Sequence, residues 1–210
     1  MGASSLQENL ELVDWRQRVA ALYQDRDRSG VAGFRARRDE LFKTHPQSPI
    51  PAADRSRFRQ VDYFPEDPSL RVESHVESLS ASENLRIETG GPDGTIEYQR
   101  VALAHFSVAG AACALTIFSI VGYGGGLFLP FRDATSGHET YGGGRYLFDT
   151  IKNHVPVPLP TPGSKSLVLD FNYAYNPSCA YDHRWACPLA PRENWLEVRV
   201  AGGERTYSAA

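Results

Sequence analysis

Between Ser5 and about Asp25 the apolar residues Leu6, Leu10, Val13, Val19 and Leu22 recur at helical spacing, with Glu8, Glu11, Arg16 and Arg18 between them. That period predicts an amphipathic helix. A second run, "VAGFRARRDELFKTH", sets Phe34, Leu41 and Phe42 on one helical side, and "HPQSPIP" must stop it because proline cannot donate to the helical ladder. After "YFPEDP" the period falls to two. In "SLRVESHVES", Leu70, Val72 and Val76 alternate with Arg71, Glu73 and His75, and "NLRIETGGPDGTIEYQRVAL" reads as two strands around a Gly-Pro-Asp-Gly turn. Further strands are expected at 101–108, 113–121, 126–131, 141–151, 167–175 and 195–200. Short links without intervening helices predict a mainly β, α+β protein: an antiparallel sheet curled as a barrel or sandwich, preceded by two N-terminal helices. The expected division is a helical extension over 1–50 and a single β domain over 51–210.

Two stretches interrupt this pattern. "YGGGLFLPF" and "YGGGRYLF" open strands with glycine runs, which read as bends or close backbone approaches, since a phosphate cradle needs a following helix N-terminus. "HVPVPLPTPG" has proline at every second position and reads as a stiff connector over a sheet edge.

At 210 residues the chain is long enough to bury a core without staples, and 41% hydrophobic with 22% charged residues is an ordinary globular balance. A formal net charge of -3 removes the electrostatic basis for nucleic-acid binding. The opening has no basic stretch leading into an apolar one, and the longest apolar run is broken by glycines, so the expectation is a cytoplasmic protein without membrane contact. No Walker loop, G-x-S-x-G elbow, dinucleotide fingerprint or H-E-x-x-H pair occurs, so no cofactor is implied.

The candidate chemistry lies late in the chain. In "RDATSGHETYGGGR", Asp133, His138, Tyr141 and Arg145 crowd a loop leading into a strand, and alternation puts Tyr141 and Arg145 on one face. An Arg fork beside a Tyr suits a carboxylate or phosphate, while an Arg145–Asp133 structural pair is the plainer reading. In "DFNYAYNPSCAYDHRWACPLAPRENWL", Asn172 and Tyr175 would contribute to the opposite wall, with Tyr175, Tyr181 and Trp185 pinning the loop to the sheet. Cys179 and Cys187 flank His183 with three-residue gaps. Three ligands at that spacing do not make a structural zinc site, so no metal is expected and a redox pair or disulfide is the simpler reading. Cys113, inside "AACALTI", reads as a small core residue.

These two late blocks resemble the signature blocks of a bacterial family known only as a domain of unknown function; the likeness extends from roughly Trp15 to the end of the chain. The resemblance implies no established activity, and His183 is not part of its pattern. Three functions follow as expectations. The first is a module binding a small polar or anionic ligand at the mouth of the β domain, through Asp133, His138, Tyr141, Arg145, Asn172 and Tyr175. The second is a hydrolase using Asp133 or His138 as base, with Arg145 or Tyr141 steadying negative charge. The third is a redox-responsive interaction protein using Cys179 and Cys187. The N-terminal helices are a candidate homodimer surface.

Overall fold

The computed structural model describes residues 5–80, 84–89, 94–122, 124–156 and 158–208. Helix α1 (Leu6–Gln24) starts in a capping box: the Ser5 hydroxyl accepts the Glu8 N–H while the Glu8 carboxylate accepts the Ser5 N–H, satisfying two donors of the open helix end. Helix α2 (Arg26–Thr44) breaks at Gly30, whose φ of 66° lies where side chains are disfavoured, so the regular helix begins at Val31 as the sequence pattern indicates. The two helices pack through Val19, Leu22, Tyr23, Val31, Phe34 and Leu41, and this cluster also takes in Tyr173. On the other side, Phe42 joins Ile50, Phe58, Val61 and Tyr181. Leu6, Leu10 and Val13 lie exposed on α1.

Seven antiparallel strands follow: β1 (Arg71–Ser78), β2 (Leu85–Glu88), β3 (Thr95–Val108), β4 (Ala111–Ile120), β5 (Leu127–Phe131), β6 (Arg145–Asp149) and β7 (Ser166–Asp170). Their order is β6-β5-β4-β3-β1-β7, with β2 paired to β3, and the sheet curls into a half-barrel around Ala104, Leu115, Leu129, Phe131, Leu169 and Phe171. Glu88 pairs with Thr95, which sets the predicted hairpin; most of its Gly-Pro-Asp-Gly turn lies outside the described residues. A bulge between Leu129 and Pro130 reverses the facing on β6, so Phe148 points to the barrel interior and Tyr146 to the outer aromatic cluster of Tyr98, Phe118, Phe128 and Tyr175.

Three strand expectations are corrected. The stretch 141–151 is extended only from Arg145, because Tyr141 to Gly144 forms a turn closed by Gly144 N–H donating to Tyr141 O at 3.0 Å. The stretch 167–175 ends at Asp170, where the Asp170 side chain caps a 3-10 turn over Phe171–Tyr173. The stretch 195–200 forms no strand: it runs beside residues 132–134 through a bridge from Trp195 to Arg132 and a hydrogen bond from Ala134 N–H to Val198 O, with Leu196 and Val200 packed in the core. Instead, 200–206 threads between two other segments: Phe64 N–H donates to Gly203 O, Glu204 N–H to Ala174 O and Arg205 N–H to Asp62 O. Gly203 sits at φ 74°, and any side chain there would overlap the Ala174 carbonyl, so the close approach requires glycine. Cys113 is half-buried against the core, not fully enclosed.

Candidate functional site

Of the predicted site residues, Arg145 is the most altered by the fold. Its side chain is wholly buried and donates to the carbonyls of Val200, Gly202 and Glu204 and to Asp133 Oδ1. Asp133 is equally buried; it accepts from Thr135 Oγ1 (2.8 Å) and from the Val200 N–H (2.7 Å). The Arg145–Asp133 structural pair forms, and Arg145 fastens the C-terminal segment. The strand-parity argument failed because Tyr141 is in a turn. His138 is exposed, with no side-chain hydrogen bond among the described residues, and is not brought into a pair with Asp133. Asn172 is a clamp: its Oδ1 accepts Asp67 N–H (2.9 Å) and its Nδ2 donates to Asp67 O (2.8 Å) and Asp170 Oδ1 (3.0 Å). Tyr141 turns toward the cysteines, its Oη 3.6 Å from Cys179 Sγ. Tyr181 pins its loop to α2 through an edge contact on Phe42 (5.5 Å), away from the sheet.

The mouth of the half-barrel also differs from expectation. It holds an apolar cavity of about 210 Å³, lined by Val76, Ile117, Phe148 and Leu167 with Pro156 and Pro160 of the connector. None of the six candidate binding residues lines it.

Of the six, Tyr175 reaches a small cavity of mixed polar and apolar lining between the helices and the outer face of β6. The volume is about 50 Å³, and Arg38, Tyr146, Asp149, His154, Asn176 and Tyr181 contribute to the lining, with Lys152 and Ser178. Tyr175 is held beside β6 by two backbone hydrogen bonds with Tyr146, 2.8 and 3.0 Å. His154 stacks on its ring at 4.4 Å and 14°, and Tyr23 meets His154 edge-on at 4.8 Å. His154 is delivered by paired backbone bonds with Asp149. Arg38 comes from α2. Its Nε donates to Glu204 Oε1 at 2.6 Å, its guanidinium lies 4.4 Å over the Phe42 ring, and its terminal nitrogens have no acceptor among the described residues. Glu204, 1% exposed, is fully engaged: besides Arg38 it accepts Asn176 N–H at 2.7 Å and the Tyr181 hydroxyl.

Three residues lining this space hold a buried polar atom with no hydrogen-bond partner among the described residues: His154 Nδ1, Tyr175 Oη and Asn176 Oδ1; Tyr23 Oη, behind His154 and outside the lining, is a further one. Leaving one buried polar group unsatisfied costs about 1–3 kcal/mol, so three around one cavity point to something that satisfies them. Burial also fixes their protonation. It drives the Tyr175 hydroxyl well above its ordinary range and so keeps it a donor at neutral pH. It raises the Asp149 carboxyl. It pushes His154 well below its ordinary value, with the Arg38 and Lys152 charges adding to the effect. His154 is thus neutral in the fold but protonates when unfolded, so stability falls as pH drops below about 6.5, while Asp149 works in the opposite sense by taking up a proton in the fold. The difference between wild type and His154→Gln isolates the histidine. From pH 7.5 to 5 the wild type should lose about 2 kcal/mol more than the variant in urea titrations, and parallel pH curves would contradict the assignment.

Arg38, Asp149 and His154 were not singled out from the sequence. Arg38 is one of several arginines in an arginine-rich helix, and His154 stands at the head of a proline run read as a connector. Arg38 differs from Arg35 and Arg37 by its burial and by its ion pair with Glu204, 166 residues away, neither of which the local sequence announces.

The chain matches, over residues 56–205, the family described as "Protein of unknown function (DUF1684)". It is also similar to a solution NMR structure of an uncharacterized protein from Haloarcula marismortui: 39% identity, 82% of this chain and 90% of that one covered, TM-score 0.61. No curated protein matches. No helix among the described residues is long and apolar enough to cross a membrane.

Proposed function

The chain belongs to the DUF1684 family, whose function is unknown, and we propose that this member is a binding module whose ligand places a carboxylate or phosphate group in the Arg38–His154–Tyr175 cavity. The observation that carries this reading is that three residues lining the cavity, His154, Tyr175 and Asn176, each hold a buried polar atom with no partner among the described residues, beside Arg38, whose one acceptor among those residues is Glu204 through Nε. A volume of about 50 Å³ is small: at roughly 10–15 Å³ per water it takes about four waters, or one compact group of four or five non-hydrogen atoms. The rest of such a ligand would leave past the rim at Lys152 and Ser178. An arginine fork matches a carboxylate or phosphate with parallel charge-assisted hydrogen bonds, and the Tyr175 hydroxyl supplies a further donor.

Tyr175→Phe separates binding from folding. The ring stack on His154 survives, and only an oxygen without a protein partner is lost. Folding stability should therefore hold or rise by up to about 1 kcal/mol, whereas affinity for inorganic phosphate or acetate should fall about tenfold by calorimetric titration. If the wild type gives no saturable heat with either anion, or if the variant binds as tightly as wild type, the reading is wrong.

A further inference from the structure

Cys179 and Cys187 take no part in the cavity, and both are free thiols. They stand together in a segment without regular structure. Cys179 lies in a 3-10 turn over Ser178–Ala180, and a turn closed by Trp185 N–H on Asp182 O returns the chain toward it. The Cys187 sulfur accepts the Cys179 N–H at 3.4 Å, which sets the two cysteines side by side. Among the described residues no group of three or more His, Cys, Asp or Glu side chains could hold a metal ion, so the pair is not part of a larger ligand set. A Cys187 sulfur already 3.4 Å from the Cys179 backbone nitrogen, across a seven-residue interval, is close enough for the two sulfurs to be bridged with little backbone movement.

We infer that Cys179 and Cys187 form a reversible dithiol–disulfide couple that is oxidised by a low-molecular-weight disulfide. Their exposures divide the work. Cys187 is 2% exposed, whereas Cys179 is half-buried and open to a reagent. The Cys187 thiol is lowered below its ordinary value because Cys179 donates to it, with the Lys152 charge adding to the effect; Cys179 is raised because it is the donor. Cys187 is thereby the sulfur that carries the negative charge and accepts the proton. Tyr141, pushed up to about 12 by burial, keeps its proton at neutral pH and supplies a neutral hydroxyl beside Cys179.

In the first step Cys179 Sγ attacks one sulfur of the reagent RSSR while its proton passes to the Cys187 thiolate. The RS–SR bond breaks, a Cys179–SR mixed disulfide forms and RS⁻ departs. In the second step Cys187 gives that proton to the departed thiolate and attacks Cys179 Sγ. The Cys179–SR bond breaks, the protein disulfide forms, and the second RS⁻ takes from solvent the proton that Cys187 had released on ionising. Two electrons pass from the protein to the reagent, which leaves as two RSH.

The test is an equilibration of the purified protein in glutathione buffers from fully reducing to fully oxidising, followed by acid quench, alkylation and mass analysis of the intact chain and its peptides. Cys179 and Cys187 should lose reactivity together in one two-electron transition, giving a single linked peptide, with Cys113 alkylated throughout. Cys187→Ser should stop at the Cys179–glutathione mixed disulfide. The wild-type titration decides the matter alone if that variant does not fold. Persistent alkylation of both thiols at the most oxidising ratio, glutathionylation without bridging in the wild type, or a bridge to Cys113 would each overturn the inference.

Discussion

Glu204→Ala should cost about 3–5 kcal/mol of folding stability, the range for removing one partner of a buried ion pair. The carboxylate is 1% exposed and has three donors: Arg38 Nε, the Asn176 backbone N–H and the Tyr181 hydroxyl. Truncation strands all three in a place water reaches poorly, and the Arg38 guanidinium, 2% exposed, would be left without its countercharge. The loss arises from the orphaned charge more than from the attraction that is removed. Glu204→Ala combined with Arg38→Met should therefore be clearly more stable than Glu204→Ala alone, because the second change withdraws the unpaired cation. Urea denaturation of the three variants checks both statements. A single-variant loss below about 1 kcal/mol would mean that the pair is more hydrated than its burial indicates.

A comparable loss, about 3–5 kcal/mol, is expected for Arg145→Met. One guanidinium here engages three carbonyls of the C-terminal segment and the Asp133 carboxylate, and its removal leaves that carboxylate buried and short of a countercharge. Arg145→Lys should recover little. A compact ammonium has three donors at one point and cannot span acceptors that a planar fork reaches on two sides. The damage should also be local. Residues 198–206 should become the first site of protease cleavage, since apart from Arg145 their backbone is held by scattered hydrogen bonds to 62–64, 133–134, 139 and 174 and not by a continuous strand ladder. Uniform loss of protection without preferential cleavage there would contradict this fastening role.

The elements whose physics is local were legible in the sequence. The helical spacing of α1, the stop at "HPQSP" and the alternation through β1 to β4 all depend on near neighbours, and the helices and the curled antiparallel sheet follow them. The eight-residue spacing of Cys179 and Cys187 suggested that the two could approach, and the Cys187 sulfur does accept the Cys179 N–H. Partnerships formed across the chain were not legible. Arg145 belongs to a motif that suggests an anion grip, yet its acceptors are backbone carbonyls about 55 residues later, which no side-chain pattern announces. Asn194 is similar: within "PRENW" it resembles a polar surface residue, but it is fully buried, accepts Thr116 N–H and donates to the carbonyls of Thr116 and Pro130, joining β4 to β5. Tyr175 was placed in the site for the wrong wall. Its partner across the cavity is Arg38, from the helices, which sequence reasoning had set apart as an extension.

Whether the cavity beneath Arg38 is an anion seat can be decided by a crystal structure grown with arsenate, a tetrahedral analogue of phosphate whose anomalous scattering distinguishes it from water. The expected result is one anomalous peak between Arg38, His154 and Tyr175, with arsenate oxygens about 2.7–3.2 Å from the Arg38 terminal nitrogens and the Tyr175 hydroxyl. A cavity filled only by ordered waters bridging His154, Tyr175 and Asn176, with no anomalous peak at saturating arsenate, would contradict the binding reading and leave these residues as a hydrated structural junction between helices and sheet.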